Sequence, residues 1–265
     1  KAAIMNGRDG GELISPTLTF EAINQFASKT MKTNVVRVPM TKEIGIDLKT
    51  TGQMVNSKTN MVYLCNPNNP TGVILNPKEL EVFCKETSKK SIVFVDEAYH
   101  EYVMDKQYRS MVSLVNEGYD VLISRTASKV HGLAGLRVGY AISTPKIIKR
   151  LNSYMNGSLN VVGLRGAIAS YKDKRFQKFS IEKNNEGRTI VTDYLDKKGI
   201  EYLDSQTNFI FIKTGIDIKK FQPAMEKHKV LVGRPFPPYT DWCRLSIAKP
   251  EEMESFNKGF NKELG

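Results

Sequence analysis

The feature that most constrains this 265-residue chain is a repeated order: a short, nearly unbroken apolar run, a turn, then a stretch of helical periodicity. The runs are GELIS (11–15), NVVRVP (34–39), MVYLCN (61–66), SIVFVD (91–96), DVLISR (120–125) and RVGYAIS (137–143). Continuous apolar character, without polar alternation, suits strands covered on both faces. Helices are expected between them at 19–30, 47–57, 77–89 and 110–117. The third should open with Asn76 as N-cap and Pro77 at the first helical position. Strand and helix in alternation predict an α/β fold, a mostly parallel sheet sandwiched by helices.

After residue 145 the pattern changes. Pro145 opens a long helical region, expected over 146–172, and a second follows at 174–197. Two β-like runs come next, FIFIK (209–213) and CRLSIA (243–248), with helices near 217–228 and 250–264. The expected division is a large domain over 1–150, then a connecting helix and a small α+β domain over 151–265.

Composition narrows the function classes. The chain carries 39 Lys and Arg against 28 Asp and Glu, but the basic residues are scattered and their densest clusters suit solvated helix faces. No nucleic-acid partner is expected. No run approaches the ~20 apolar residues a membrane span needs, and KAAIMNGRDGG lacks the apolar core of a signal peptide. Cys65, Cys84 and Cys243 are too sparse for a disulfide framework, and neither they nor His100, His131 and His228 show metal-ligand spacing. A reducing, cytoplasmic setting and no metal are the expectation.

Four local signals fall at the C-terminal ends of expected strands, where open α/β sheets place ligands. They are CNPNNPTG (65–72), DEAYHEY (96–102), RTASKVHGLAGLRVGY (125–140) and, in the second domain, WCRLSIA (242–248). Each has a plain reading: a turn, an N-cap, a flexible surface lysine, a surface arginine. In order and spacing together, however, they resemble the fold-type-I aminotransferases that use pyridoxal 5′-phosphate (PLP), and most closely the histidinol-phosphate aminotransferase branch. The resemblance runs from LTFEAI (18–23) to Met253, and the step of eight from Lys129 to Arg137 is its most diagnostic part.

The resemblance implies an aspartate-aminotransferase-like fold, PLP as cofactor, an amino donor and a 2-oxo acid as substrates, and a homodimer. It matches Lys129 to the lysine that carries the cofactor and shuttles a proton, and Asp96 to the acid facing the pyridine nitrogen. Tyr99 and Asn69 match the donors to the ring oxygen. Thr126, Ser128 and Arg137 match the phosphate-binding positions. Phe20 aligns with the aromatic that stacks on the ring, although PTLTFE leaves Leu18 as an alternative. Arg244 matches the arginine that clamps a substrate anion, and Asn208 a small-domain asparagine nearby, with a turn residue as its plain reading. The Asn69–Pro70 bond is expected to be cis.

Relatives are longer, and KAAIMNGRDGGELI reads as helix end, turn and strand, so a preceding segment that completes the phosphate site is expected to be missing. Decarboxylase, C–S lyase or racemase chemistry on the same cofactor, and a non-catalytic sensing module, are the alternatives to amino transfer.

Overall fold

The computed structural model describes residues 11–155 and 157–264. The proposed helix end within 1–10 lies outside them. Six strands form the main sheet: β1 (Glu12–Pro16), β2 (Asn34–Val38), β3 (Thr59–Cys65), β4 (Ile92–Asp96), β5 (Val121–Thr126) and β6 (Gly139–Ile142), in spatial order β2-β1-β3-β4-β5-β6. All pairings are parallel except β5 with β6, which is antiparallel. The helices α1 (Glu21–Thr30), α2 (Leu48–Met54), α3 (Pro77–Thr87) and α4 (Val112–Asn116) occupy the expected connections. At the head of α3 the Asn76 side chain accepts from the amides of Lys78 (3.0 Å) and Glu79 (3.3 Å), so local chemistry starts this helix as the sequence predicts.

The sheet is covered on two faces by two apolar clusters. Ile14, Val62, Leu64, Val93, Val95, Val121 and Ile123 point to one, and Leu13, Met61, Tyr63, Cys65, Phe94 and Leu122 to the other. Adjacent residues of β1, β3, β4 and β5 therefore serve opposite cores, which explains their lack of polar alternation. Each fully buried Leu, Ile or Val contributes about 1.5–3 kcal/mol relative to exposure. The edge strand β6 departs from this pattern, since Gly139, Tyr140 and Ala141 are exposed.

The expected long helix over 146–172 is two helices, α5 (Pro145–Ser153) and α6 (Val161–Lys172). Between them Gly157 takes φ 113°, and the Asn160 side chain accepts from the Gly163 amide at 2.9 Å. A left-handed residue followed by a fresh N-cap interrupts a continuous helical ladder. The expected boundary at residue 150 lies inside α5.

The long α7 (Lys174–Lys198) leads to β7 (Phe209–Lys213), α8 (Ile218–Glu226), β8 (Trp242–Ser246) and α9 (Pro250–Leu264). β7 and β8 pair antiparallel, and Ile210, Ile212, Phe221, Leu245, Phe256 and Phe260 join Val191 and Leu195 of α7 in a separate core. Among the described residues no helix is long and apolar enough to cross a membrane, and no His, Cys, Asp and Glu cluster has the makings of a metal site.

Candidate active site

The carboxyl ends of β3, β4 and β5 open on a cavity of about 310 Å³, and eight of the ten residues singled out from sequence line it: Phe20, Asn69, Asp96, Tyr99, Thr126, Ser128, Lys129 and Arg137. They come from five separate stretches of chain. Strand ends supply the acid and the first hydroxyl: Asp96 closes β4 and Thr126 closes β5. Thr126 Oγ1 accepts from the Ser128 amide at 3.1 Å and donates to Ser128 Oγ at 2.9 Å, so the turn after β5 carries two hydroxyls side by side.

Lys129 follows directly. Its Nζ lies over the Tyr99 ring, 4.9 Å from the centroid. Burial, then the positive charge of Arg244, push the Lys129 amine below the usual lysine range, and Asp96 partly opposes them. Tyr99 is buried edge-on against Phe209, at 5.1 Å between ring centroids. Its hydroxyl receives the Asn69 side-chain amide at 3.4 Å, and burial pushes its own ionisation upward.

A second arm of the turn carries Arg137. After the short 3-10 turn Ala134–Leu136 it adopts φ 56°, ψ 44°, exposed, with Nη1 donating to the Ala134 carbonyl at 2.8 Å. The antiparallel partner of Thr126 is Gly139, so the chain that leaves at Thr126 returns beside it. That reversal puts Lys129 and Arg137 on one cavity.

Asn69 sits in a loop whose Asn69–Pro70 bond is cis, as expected from sequence, and whose Asn66–Pro67 bond is also cis. Of the two aromatic-position candidates, Leu18 is 3% exposed in a cluster with Phe211 and Trp242, whereas Phe20 is 43% exposed and lines the cavity.

Two expected residues do not line it. Arg244 of β8 reaches the site from the small domain, its guanidinium 4.0 Å from the Phe209 ring centroid and its charge felt by Tyr99 and Lys129. Its Nε is buried without a partner, a donor held away from water with nothing to satisfy it. Asn208 lines a neighbouring cavity of about 570 Å³ with Tyr102, Phe179 and Asn184, and its Oδ1 is likewise buried and unpartnered. Sequence reasoning missed Cys65, Ser124 and Arg125 in the wall, Tyr63 behind it, and Arg234, whose charge reaches Arg244. The signal for Ser124 was present, a polar residue at the end of an apolar run. For Tyr63 it was not, because a tyrosine inside a strand reads as core.

The donor set fits a small aromatic phosphate. Two hydroxyls and an arginine in the lining can take an anion, a carboxylate stands at the end of β4 beside β3, and an amine lies over the tyrosine whose hydroxyl meets Asn69.

Fold and cavity together define a PLP-type α/β protein of the aspartate-aminotransferase architecture. The chain belongs to the aminotransferase class I and II family, whose model matches residues 2–258. It is 34% identical to histidinol-phosphate aminotransferase 2 of Hydrogenovibrio crunogenus, over 99% of this chain and 70% of that protein. It is 37% identical to the histidinol-phosphate aminotransferase of Brevibacillus brevis, over 79% of this chain and 57% of that one. A solved structure from Erwinia carotovora atroseptica, described as a candidate histidinol-phosphate aminotransferase, superposes with a TM-score of 0.93 at 33% identity, covering 98% of this chain and 77% of that one. A Sinorhizobium meliloti histidinol-phosphate aminotransferase in complex with PLP shares the fold, with a TM-score of 0.87 at 23% identity. The chain thus spans roughly three fifths to three quarters of the length of these proteins.

Proposed function

We propose that this chain carries the cofactor and catalytic groups of a PLP-dependent aminotransferase, moving an amino group between an amino acid, or an amino phosphate such as histidinol phosphate, and a 2-oxo acid. The observation that carries this reading is the single cavity shared by Lys129, Asp96, Tyr99 and the hydroxyls of Thr126 and Ser128. Bound PLP supplies an electron sink for the electron pair left when a substrate Cα–H bond breaks.

The rest is work for this chain's side chains. Lys129 would supply the amine that holds the cofactor through its aldehyde, and once substrate has displaced it the same amine would move a proton between the substrate Cα and the cofactor carbon on the far side of the substrate nitrogen. Its lowered pKa favours the unprotonated form that both tasks need. Asp96 holds a positive charge at the ring nitrogen, and Tyr99 with Asn69 holds the ring oxygen. Thr126, Ser128 and Arg137 hold the phosphate, and Phe20 covers the ring. Arg244, with its orphaned Nε, receives the substrate's anionic group, and the nearby charge of Arg234 favours substrates with a second anionic end.

A homodimer is part of the proposal. Leu159, Val161, Val162 and Ile168, on and just before α6, are 49–78% exposed, and this helix packs beside β6 through Tyr140 and Tyr171. An apolar face of this kind on a water-exposed edge supports a covering partner. The cytoplasm is the proposed compartment, supported by three buried free cysteines.

Half-reactions test the function. The PLP-loaded full-length protein, mixed with histidinol phosphate, aromatic or acidic amino acids, should convert at least one donor to its oxo product with loss of the aldehyde absorbance. Carbon dioxide release with formation of the corresponding amine, and no oxo product, would replace amino transfer by decarboxylase chemistry.

A further inference from the structure

The site's acid is held by two side chains that nothing in the family motifs names. Tyr63 lies on β3 and Ser124 on β5, the two strands that flank β4. The register sets Cys65 beside Asp96, and Asp96 beside Ser124. From one flank the Tyr63 hydroxyl donates to Asp96 Oδ2 at 3.1 Å, and from the other the Ser124 hydroxyl donates to Asp96 Oδ1 at 2.7 Å. Each carboxylate oxygen thus receives one side-chain donor from a flanking strand.

We propose that Tyr63 and Ser124 are positioning residues that keep the Asp96 carboxylate ionised and aimed at the cleft, and so hold the proton on the ring nitrogen of bound PLP. The inference rests on the PLP reading above.

Three observations carry it. Tyr63 is wholly buried, its ring edge-on to Phe94 at 5.3 Å between centroids, a packing role phenylalanine would fill equally well. The hydroxyl is the surplus, and a buried hydroxyl is costly unless it has an acceptor. Asp96 is its acceptor, and burial with that neighbour keeps the phenol protonated and therefore a donor. Second, a carboxylate has about four acceptor sites, so the two side-chain donors and the Ala98 amide leave capacity towards the cleft. Third, the groups facing Asp96 are Tyr63, Cys65, Tyr99, Ser124 and Lys129. Burial raises the acid, and the hydroxyls of Ser124 and Tyr63 are the largest opposing influences, ahead of the Ala98 amide and the Lys129 charge.

Stripping those donors makes Asp96 more basic. The proton shared with the ring then moves to the carboxylate, and the ring loses its positive charge.

The test compares the full-length wild-type protein with Tyr63→Phe, Ser124→Ala and the double variant, each titrated with PLP from acid to neutral pH. PLP labelled with nitrogen-15 in its ring reports the state of that atom. The acid limb of PLP affinity should move up by roughly one pH unit in each single variant and further in the double. The ring resonance at neutral pH should move from the protonated towards the unprotonated position. Uniform weakening at every pH with an unmoved resonance would reduce both side chains to packing and overturn the proposal. Tyr63→Phe keeps the ring and Ser124→Ala removes one hydroxyl. Thermal unfolding of the PLP-free proteins checks that each folds, and either single variant alone decides. A wild-type protein that binds no PLP overturns the functional reading and this one with it, whereas bound PLP with no variant shift overturns this one alone.

Discussion

Glu97 holds the Arg125 guanidinium at 2.8 Å across the ends of β4 and β5, one residue away from Asp96 on one side and from Thr126 on the other. Glu97 is 1% exposed, and its oxygens also receive the Ser110 hydroxyl at 2.8 and 2.9 Å and the Met111 amide at 3.0 Å. The pair therefore ties the strand end bearing Asp96 to the strand end bearing Thr126. Removing one member of a buried pair leaves the other charge uncompensated, at about 3–5 kcal/mol. Arg125→Ala should lower the urea-unfolding free energy by that amount. Ser110→Ala should cost about 1 kcal/mol, since Arg125 still neutralises Glu97.

Lys129→Ala should lower turnover by about 10⁴-fold or more while leaving reversible PLP binding through Asp96, Arg137 and the hydroxyls. Turnover assays with equilibrium dialysis of PLP separate the two effects. A variant that transaminates at near wild-type rate would move the catalytic amine elsewhere in the chain.

The lowered Lys129 pKa carries a stability signature in the PLP-free protein. Between the lowered folded value and the ordinary lysine value, the unfolded chain binds more protons than the folded one, so Lys129's contribution to stability rises with pH. Lys129→Met should therefore be more stable than wild type at neutral pH, by a margin that shrinks as pH climbs towards the ordinary lysine value. Denaturant midpoints at stepped pH would show it, and a margin constant with pH would contradict the charged, buried amine.

Arg244→Lys keeps the charge but loses the planar fork. KM for carboxylate donors should rise by about 10–100-fold, with kcat changed far less, in line with the loss of one charge-assisted hydrogen bond. The same variant keeps a cation near Lys129, whereas Arg244→Met removes it. The amine should then titrate at higher pH in the methionine variant, because the Arg244 charge is the second cause of its depression.

Gly72 adopts φ 78°, and a Cβ built there would clash with Ser205 Oγ, while its carbonyl accepts from the Gln206 amide at 2.9 Å. Gly72→Ala should both strain the loop and push it off the segment before β7, with a loss of about 1–3 kcal/mol and a weaker PLP site. Calorimetry and PLP titration would read the two losses together.

Much of this was legible in the sequence, for identifiable reasons. The buried strands could be found because each faces two cores, and α3 because Asn76 and Pro77 mark its start chemically. The site was legible through the resemblance carried by four motifs in order and spacing, which strand ends alone would have left as turns, a cap and surface charges. The break between α5 and α6 was missed because Val161, Leu164, Ala167 and Ile168 continue a helical pattern across the Asn160 cap. Exposure of β6 was missed because GYAI is apolar whether or not anything covers it. Asn208 was assigned by resemblance, and it lines a neighbouring cavity, which periodicity does not report. The donors to Asp96 escaped notice because they depend on register between three strands, a relation that local sequence does not contain.

The return of the chain at β6 has a further consequence. Thr126 and Gly139 are locked opposite each other, so the arc over 127–138 is a fixed-length gauge with Ser128 and Lys129 near one end and Arg137 near the other. Adding or deleting one residue in this arc would slide the amine and the arginine relative to each other, because both of its ends are pinned by the β5–β6 pairing. Length there is under the same constraint as residue identity.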